Sequence, residues 1–389
     1  MRWVKYNFDE VIDRRNTGSL KWDVGENELP MWVADMDFRT APEVTDELVK
    51  IAQKGVFGYS VVTDRWYDAY IRHWEKLHAF KMKKEGLCFV TGVVPLISSA
   101  VRKLTTPAEK VIIQTPTYNI FFNSVINNGR RVVENPLKYD SGRYDMDFSD
   151  LEEKLSDPET SLLILCNPQN PTGNIWDRET LSRLGELCKK HSVTVISDEI
   201  HCDITTPGKD YVPFASVSET CKNISITALA PTKAFNLAGI GTAAFYAENE
   251  NLFNKMRRAV NTDEVAEPNV FAVRAAEAAF FKGDEWLGEL KEYIYENKTA
   301  ARRFIGENIP KITVAESDAT YLLWLDVSHF TDDSVALSEA IREKTGLYIS
   351  EGAQYGGNGR YFLRLNTACP RATLNDGLSR LKKAFGEII

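Results

Sequence analysis

Residues 161–173 read SLLILCNPQNPTG. An apolar run this short, halted by asparagine, proline and glycine, reads as a buried strand followed by a turn. Similar runs recur at KVIIQTP (110–116), VTVISDE (193–199), NISITALA (223–230) and GTAAFYA (241–247). Helical patterns lie between them, at 117–128, 178–191 and 249–260. Buried short strands separated by helices predict an α/β fold with a parallel sheet. In such sheets ligands bind outside the carboxyl ends of the strands. Three of those ends carry polar or reactive residues: NPQNPTG, DEIH and APTK.

The chain has 389 residues, 43% of them hydrophobic, which suggests two or three domains at roughly 100–200 residues each. Residues 284–308 read as a long amphipathic helix, followed by ATYLLWLDV, a helix at 332–345, and RYFLRLN before a final helix. Fewer strands set among helices suggest a smaller α+β domain. Residues 1–30 have weak periodicity and many turn residues, as an arm would. The expected division is 1–45 for the arm and part of the small domain, 46–283 for a large domain, and 284–389 for a small C-terminal domain.

The formal net charge is −8 and the acids are spread along the chain, which argues against a nucleic-acid or anionic-membrane surface. RWVKYNFDE after Met1 has no apolar signal core, and no apolar run approaches the ~18 residues of a membrane span. Six scattered cysteines without C-x-x-C point to reduced thiols in a cytoplasmic protein. The histidines show no metal spacing. In HCD (201–203), three adjacent residues of a strand cannot all face one ion, so no metal is expected.

Lys233 stands alone among small and apolar residues in LAPTKAFNLAG (229–239). Such a lysine ordinarily snorkels to water. Asp198, at the end of a buried strand, is costly without a cationic partner. It could cap the next segment or pair with Lys233. Alternatively, Asp198 faces a protonated ring nitrogen while a desolvated Lys233 forms an imine, the pair that pyridoxal 5'-phosphate (PLP) requires.

NPQNPTG, SDEIH and APTKAFNLAG, in this order and spacing, resemble the fold-type I PLP enzymes of the aminotransferase class I/II superfamily. YNFDEVIDRRNTGSLKWD, LPMWVADMDF, GVFGYS, DEIH and RLNTACPR further resemble the MalY/PatB group of carbon–sulfur β-lyases, cystathionine β-lyases among them. The resemblance implies a large domain with a mostly parallel seven-stranded sheet between helices, plus the smaller domain. It makes Lys233 the lysine of the internal aldimine and the proton shuttle at Cα. Asp198 would keep the pyridine nitrogen protonated, and Asn170 would donate to the ring's phenolic oxygen. His201 stands where relatives often have a tyrosine reaching that oxygen, though a strand histidine is also commonly a satisfied core residue. Tyr118 would stack on the ring or, alternatively, serve as a core aromatic.

TGVVPLISSAV (91–101) reads as a turn opening a helix, so Gly92, Val93 and Val94 would offer backbone N–H groups to the phosphate. Thr232 can add a hydroxyl. Tyr59 resembles a tyrosine reaching the phosphate from a neighbouring subunit, which implies a homodimer with shared sites. Many superfamily members carry an arginine where this chain has Gly241, and a serine where it has Ala230. Arg364 matches the anchor of the substrate α-carboxylate. Trp32, Val33, Ala34 and Asp35 would line the substrate pocket; equally, Trp32 could pack the arm and Asp35 cap a turn. The implied reaction is β-elimination on a small-molecule amino-acid substrate, a cysteine S-conjugate such as L-cystathionine or else L-cysteine, giving a thiol, pyruvate and ammonia. An aminotransferase, or a regulatory protein on the same scaffold, are the alternatives.

Overall fold

The computed structural model describes residues 5–388. Its main sheet has seven strands: β1 (Leu87–Val90), β2 (Lys110–Ile113), β3 (Arg131–Glu134), β4 (Thr160–Cys166), β5 (Thr194–Asp198), β6 (Ser225–Leu229) and β7 (Ala243–Tyr246). Their spatial order is β1-β7-β6-β5-β4-β2-β3. All pairs from β6 to β3 are parallel, whereas β7 is antiparallel to both neighbours. The parallel sheet expected from the runs therefore has one reversed strand. No α-helix lies between β6 and β7 to carry the chain back across the sheet, so the chain returns antiparallel.

Both faces of the sheet are covered, which explains the nearly continuous apolar runs. In β4, Leu162, Ile164 and Cys166 pack on one side with Leu96 and Met256, while Leu163 and Leu165 pack on the other with Leu184 and Cys188. The helices are locally specified. In Arg178–Lys190 the Asp177 side chain accepts from Thr180 N–H, Glu179 sits in the first turn, and Lys189 and Lys190 sit in the last.

A second, antiparallel sheet holds β8 (Thr313–Val314), β9 (Leu322–Asp326), β10 (Ser350–Glu351) and β11 (Phe362–Asn366) in the order β8-β9-β11-β10. Helix Asp284–Asn308 joins the two parts. Its Trp286, Leu290 and Ile294 pack into a core shared with the main sheet, and its Ala301 and Ile305 into the core of the second. Near the start of the chain, Leu29–Pro30 pairs with Leu347–Tyr348, which fastens the arm to the smaller sheet. The strip 32–35 then crosses toward the ends of β5 and β6. Among the described residues no helix is long and apolar enough to cross a membrane.

Candidate active site

The carboxyl ends of β4, β5 and β6 open on one cavity of about 450 Å³. Asn170, Asp198, His201, Thr232, Lys233 and Arg364 all border it. So do Gly92, Val93, Val94, Tyr118 and Trp32. Residues as distant in the chain as Trp32 and Arg364, 332 positions apart, thus meet in one place.

Lys233 Nζ donates to the Ala34 carbonyl at 2.7 Å. Burial, reinforced by the nearby Arg364 charge, draws its pKa from 10.5 down to about 8. Asp198 is buried at the end of β5, and the Ile200 N–H donates to it at 3.2 Å. Burial pushes this carboxyl up to about 6, against a weaker pull from Lys233. A buried acid held that high lacks a close cation, and one brought to it would restore its charge. His201 is buried beside Tyr321, and burial followed by the Lys233 and Arg364 charges lowers it to about 3, so its imidazole is neutral.

Arg364 lies in β11 and is buried. Its Nη1 donates to Asn170 Oδ1 at 3.1 Å and its Nη2 to the Trp32 carbonyl at 2.7 Å. With Asn170 Oδ1 engaged, the amide nitrogen is left to donate into the cavity. The guanidinium also sits over the Tyr355 ring at 4.9 Å. Burial raises the Tyr118 pKa, so its phenol is neutral.

Several polar atoms around this cavity lack partners: His201 Nδ1, Trp32 Nε1 and Arg364 Nε. Buried polar groups are rarely left so, and three around one cavity call for a polar occupant. Helix Val93–Leu104 opens on the same cavity with no side-chain cap and no acid in its first turn. Its first N–H groups and the positive end of its dipole are therefore available to an anion. These features fit the ring, phenolic oxygen and phosphate of PLP. At Gly241, a Cβ would meet only ordinary contacts, Thr91 O at 3.5 Å and Asn269 Nδ2 at 3.7 Å, and φ is +68°. Lys233 and Arg364 are the only lysine or arginine side chains that line the cavity among the described residues.

Two expected site residues are placed elsewhere. Asp35 does not line the cavity: its carboxylate pairs with Arg14 at 2.8 Å and Lys21 at 3.4 Å, whose charges hold it there. Tyr59 is fully exposed and does not border its own chain's cavity. Conversely, the cavity includes Thr242, Ser350 and Tyr355, which no motif marked. Ser350 arrives only through the pairing of β10 with β11, where it faces Arg364. Tyr321 gives its hydroxyl to the Ala34 carbonyl at 2.9 Å, beside Lys233 Nζ.

Linear spacing also hid a cluster behind the site. His73 Nε2 and His78 Nε2 lie 3.0 and 2.8 Å from the two oxygens of Asp203. Each ring meets a different oxygen, and His73 Nδ1 has no partner, whereas a metal-bound imidazole normally donates through its other nitrogen. The geometry is that of a hydrogen-bonded clamp between helix Asp64–His78 and the turn after β5.

A reversed strand in an otherwise parallel seven-stranded sheet, a second antiparallel sheet, and a lysine at the carboxyl end of the main sheet together define a fold-type I transferase. The chain belongs to the aminotransferase class I and II family, which it matches over residues 30–381. It is 42% identical to cystathionine beta-lyase PatB of Bacillus subtilis, over 97% of this chain and 100% of that one. It is 32% identical to protein MalY of Escherichia coli, over 98% and 99%. Among solved structures it resembles cystalysin from Treponema denticola, which contains pyridoxal 5'-phosphate, with a TM-score of 0.95 and 31% identity over 99% of this chain and 100% of that one.

Proposed function

We propose that the chain is a PLP-dependent carbon–sulfur β-lyase. It would cleave cysteine S-conjugates such as L-cystathionine to a thiol, pyruvate and ammonia. The observation that carries this reading is the convergence of Lys233, Asp198 and Arg364 on one cavity. Each is an ionisable group without a close charge partner of its own. The similarity to PatB favours elimination over amino transfer.

When bound, PLP supplies an aldehyde for imine formation and a ring that draws electrons from the substrate's Cα. Lys233 holds the cofactor, because an amine near pKa 8 is partly neutral and nucleophilic at neutral pH. Asp198 would stay charged against the ring nitrogen and keep its proton in place. Asn170, with neutral His201 nearby, would hold the phenolic oxygen, and Tyr118 would cover the ring. The opening turn of helix Val93–Leu104 and Thr232 would hold the phosphate. Arg364 takes the substrate's α-carboxylate with its paired N–H groups. The Lys233 amine, once free, removes the Cα proton. A thiolate leaves from Cβ, and with a thiol pKa of ~8.5 it needs little help from an acid. The released three-carbon enamine hydrolyses to pyruvate and ammonia.

The proposal includes a homodimer in which Tyr59 reaches the partner's phosphate site, and a cytoplasmic location supported by six free cysteines. It also includes the division into 1–45, 46–283 and 284–389, supported by the separate sheets and the arm's pairing with Leu347–Tyr348. The test is PLP-loaded protein with L-cystathionine and no 2-oxo acid, following pyruvate and free thiol together. Continuous equimolar release is expected. Turnover that appears only after a 2-oxo acid is added would instead assign an aminotransferase.

A further inference from the structure

No side chain of the two N-terminal motifs, NTGSLKWD and LPMWVADMDF, takes part in the reaction steps above, yet the chain folds the motifs onto each other. Lys21 is 1% exposed and gives Nζ to Asp37 at 2.7 Å. Arg14 Nη1 donates to Asp37 at 2.7 Å and its Nη2 to Asp35 at 2.8 Å. Trp22 Nε1 donates to Asp37 at 2.7 Å. Two cations and two acids thus form a closed ionic knot, with both acids at the end of the strip that crosses the site. The Lys21–Asp37 pair at its centre is buried, and displacing one such partner strands the charge of the other.

The strip itself is held from the opposite side. The Trp32 carbonyl accepts from Arg364 at 2.7 Å, and the Val33 and Asp35 carbonyls from Asn366 Nδ2 at 2.7 and 2.6 Å. The Ala34 carbonyl accepts from both Lys233 and Tyr321. Every carbonyl of the strip is therefore aimed at a side chain in or beside the site. The strip is too irregular to fix that aim by its own secondary structure.

We propose that Lys21 and Arg14 are positioning residues: by locking Asp35 and Asp37 they fix the strip whose carbonyls aim Arg364 at the substrate carboxylate. This rests on the assignment of Arg364 as the carboxylate anchor. A displaced strip costs affinity for the amino acid more than it costs the chemical step, because carboxylate binding is shared by ground and transition states.

The test titrates PLP-loaded protein with L-alanine and reads the cofactor's visible absorption. L-Alanine has no leaving group at Cβ, so its binding is read whichever reaction the enzyme performs. Arg14→Gln and Lys21→Met should weaken L-alanine binding roughly tenfold to a hundredfold, as impairment of charge-assisted hydrogen bonds to a carboxylate does. KM for L-cystathionine should rise by the same factor, with kcat changed by less than about threefold. In an Arg364→Lys background, Arg14→Gln should add little, because both changes act on the same contact. Arg14 is partly exposed, so its variant keeps the test open if Lys21→Met does not fold. Wild-type affinity in the folded variants, a full additive loss in the Arg364→Lys background, or wild-type protein that does not bind L-alanine would each overturn the proposal. Wild-type protein that binds L-alanine but releases no thiol from L-cystathionine would overturn the lyase reading alone.

Discussion

Lys233 shows how an environment tunes one residue. Its pKa is pulled to about 8 by burial and by Arg364, so the amine is protonated as pH falls below that value and neutral above it. Imine formation needs the neutral amine. Uptake of PLP by the apoprotein should therefore slow as pH drops through about 8 and level off above it. Stopped-flow mixing across pH 6 to 10, with borohydride trapping, reads this directly; a rate still climbing steeply at pH 10, as the ordinary lysine value of 10.5 requires, would show that the amine is not desolvated. Lys233→Ala should abolish borohydride-stable attachment of the cofactor altogether. Arg364 is tested separately. Arg364→Ala removes charge-assisted hydrogen bonds worth about 1.5–3 kcal/mol, so KM for the amino acid should rise roughly 10- to 100-fold. An unchanged KM would place the carboxylate anchor elsewhere.

At the scale of elements, the site depends on how the turn after β4 is locked to the second sheet. Gly173, with φ at +80°, gives its carbonyl to the Asp318 and Ala319 N–H groups at 3.0 and 2.9 Å. A Cβ there would lie 1.9 Å from Ser317 Oγ and 2.8 Å from the Ala319 carbonyl. Buried Lys298 braces the same segment, donating to Ser317 Oγ, the Ala319 carbonyl and the Thr320 carbonyl at 2.9, 3.0 and 3.1 Å. Gly173→Ala must therefore push the turn and the segment apart. It should cost about 1–3 kcal/mol of stability, read by thermal unfolding, and raise KM through the linked Asn170–Arg364 contact. A variant with wild-type stability and KM would show that the turn gives way freely. This scale also divides what the sequence reveals from what it hides. The turn after β4, Asp198 and Lys233 are legible because short apolar strands end at them, and strand ends are where ligands bind. The reversal of β7 is not legible, since its apolar run looks like the others and direction depends on the connection. Nor is the orientation of Asp35: it could turn into the pocket or away from it, and the choice rests with Arg14 and Lys21, more than ten residues earlier. Ala34 is legible as pocket lining, but its backbone contact with Lys233 is not, and Tyr321 escapes notice for the same reason, because it reaches the Ala34 carbonyl only in the folded chain.

On the scale of the whole molecule, the loop 55–61 carries Val56, Phe57, Tyr59 and Val61 into solvent. Phe57 meets the Phe271 ring at 6.0 Å, but Tyr59 has no role in its own cavity. Contiguous exposed apolar side chains of this kind suit a contact surface, and the proposed twofold dimer would present each loop to the other chain. If Tyr59 serves the partner's phosphate site, a Tyr59→Phe subunit and a Lys233→Ala subunit damage different halves of each active site. In a mixed dimer one site then carries both defects and the other carries neither. Equal co-refolding of the two variants makes about half the dimers mixed, each with one intact site of two, so activity should recover to roughly a quarter of wild type. If each chain builds its site alone, every site keeps one defect and mixing recovers nothing. The comparison needs both parent variants to retain dimers and PLP uptake under the same refolding conditions, measured by sedimentation and by absorption. Recovery would then report complementation across the interface, because neither parent supplies an intact site on its own.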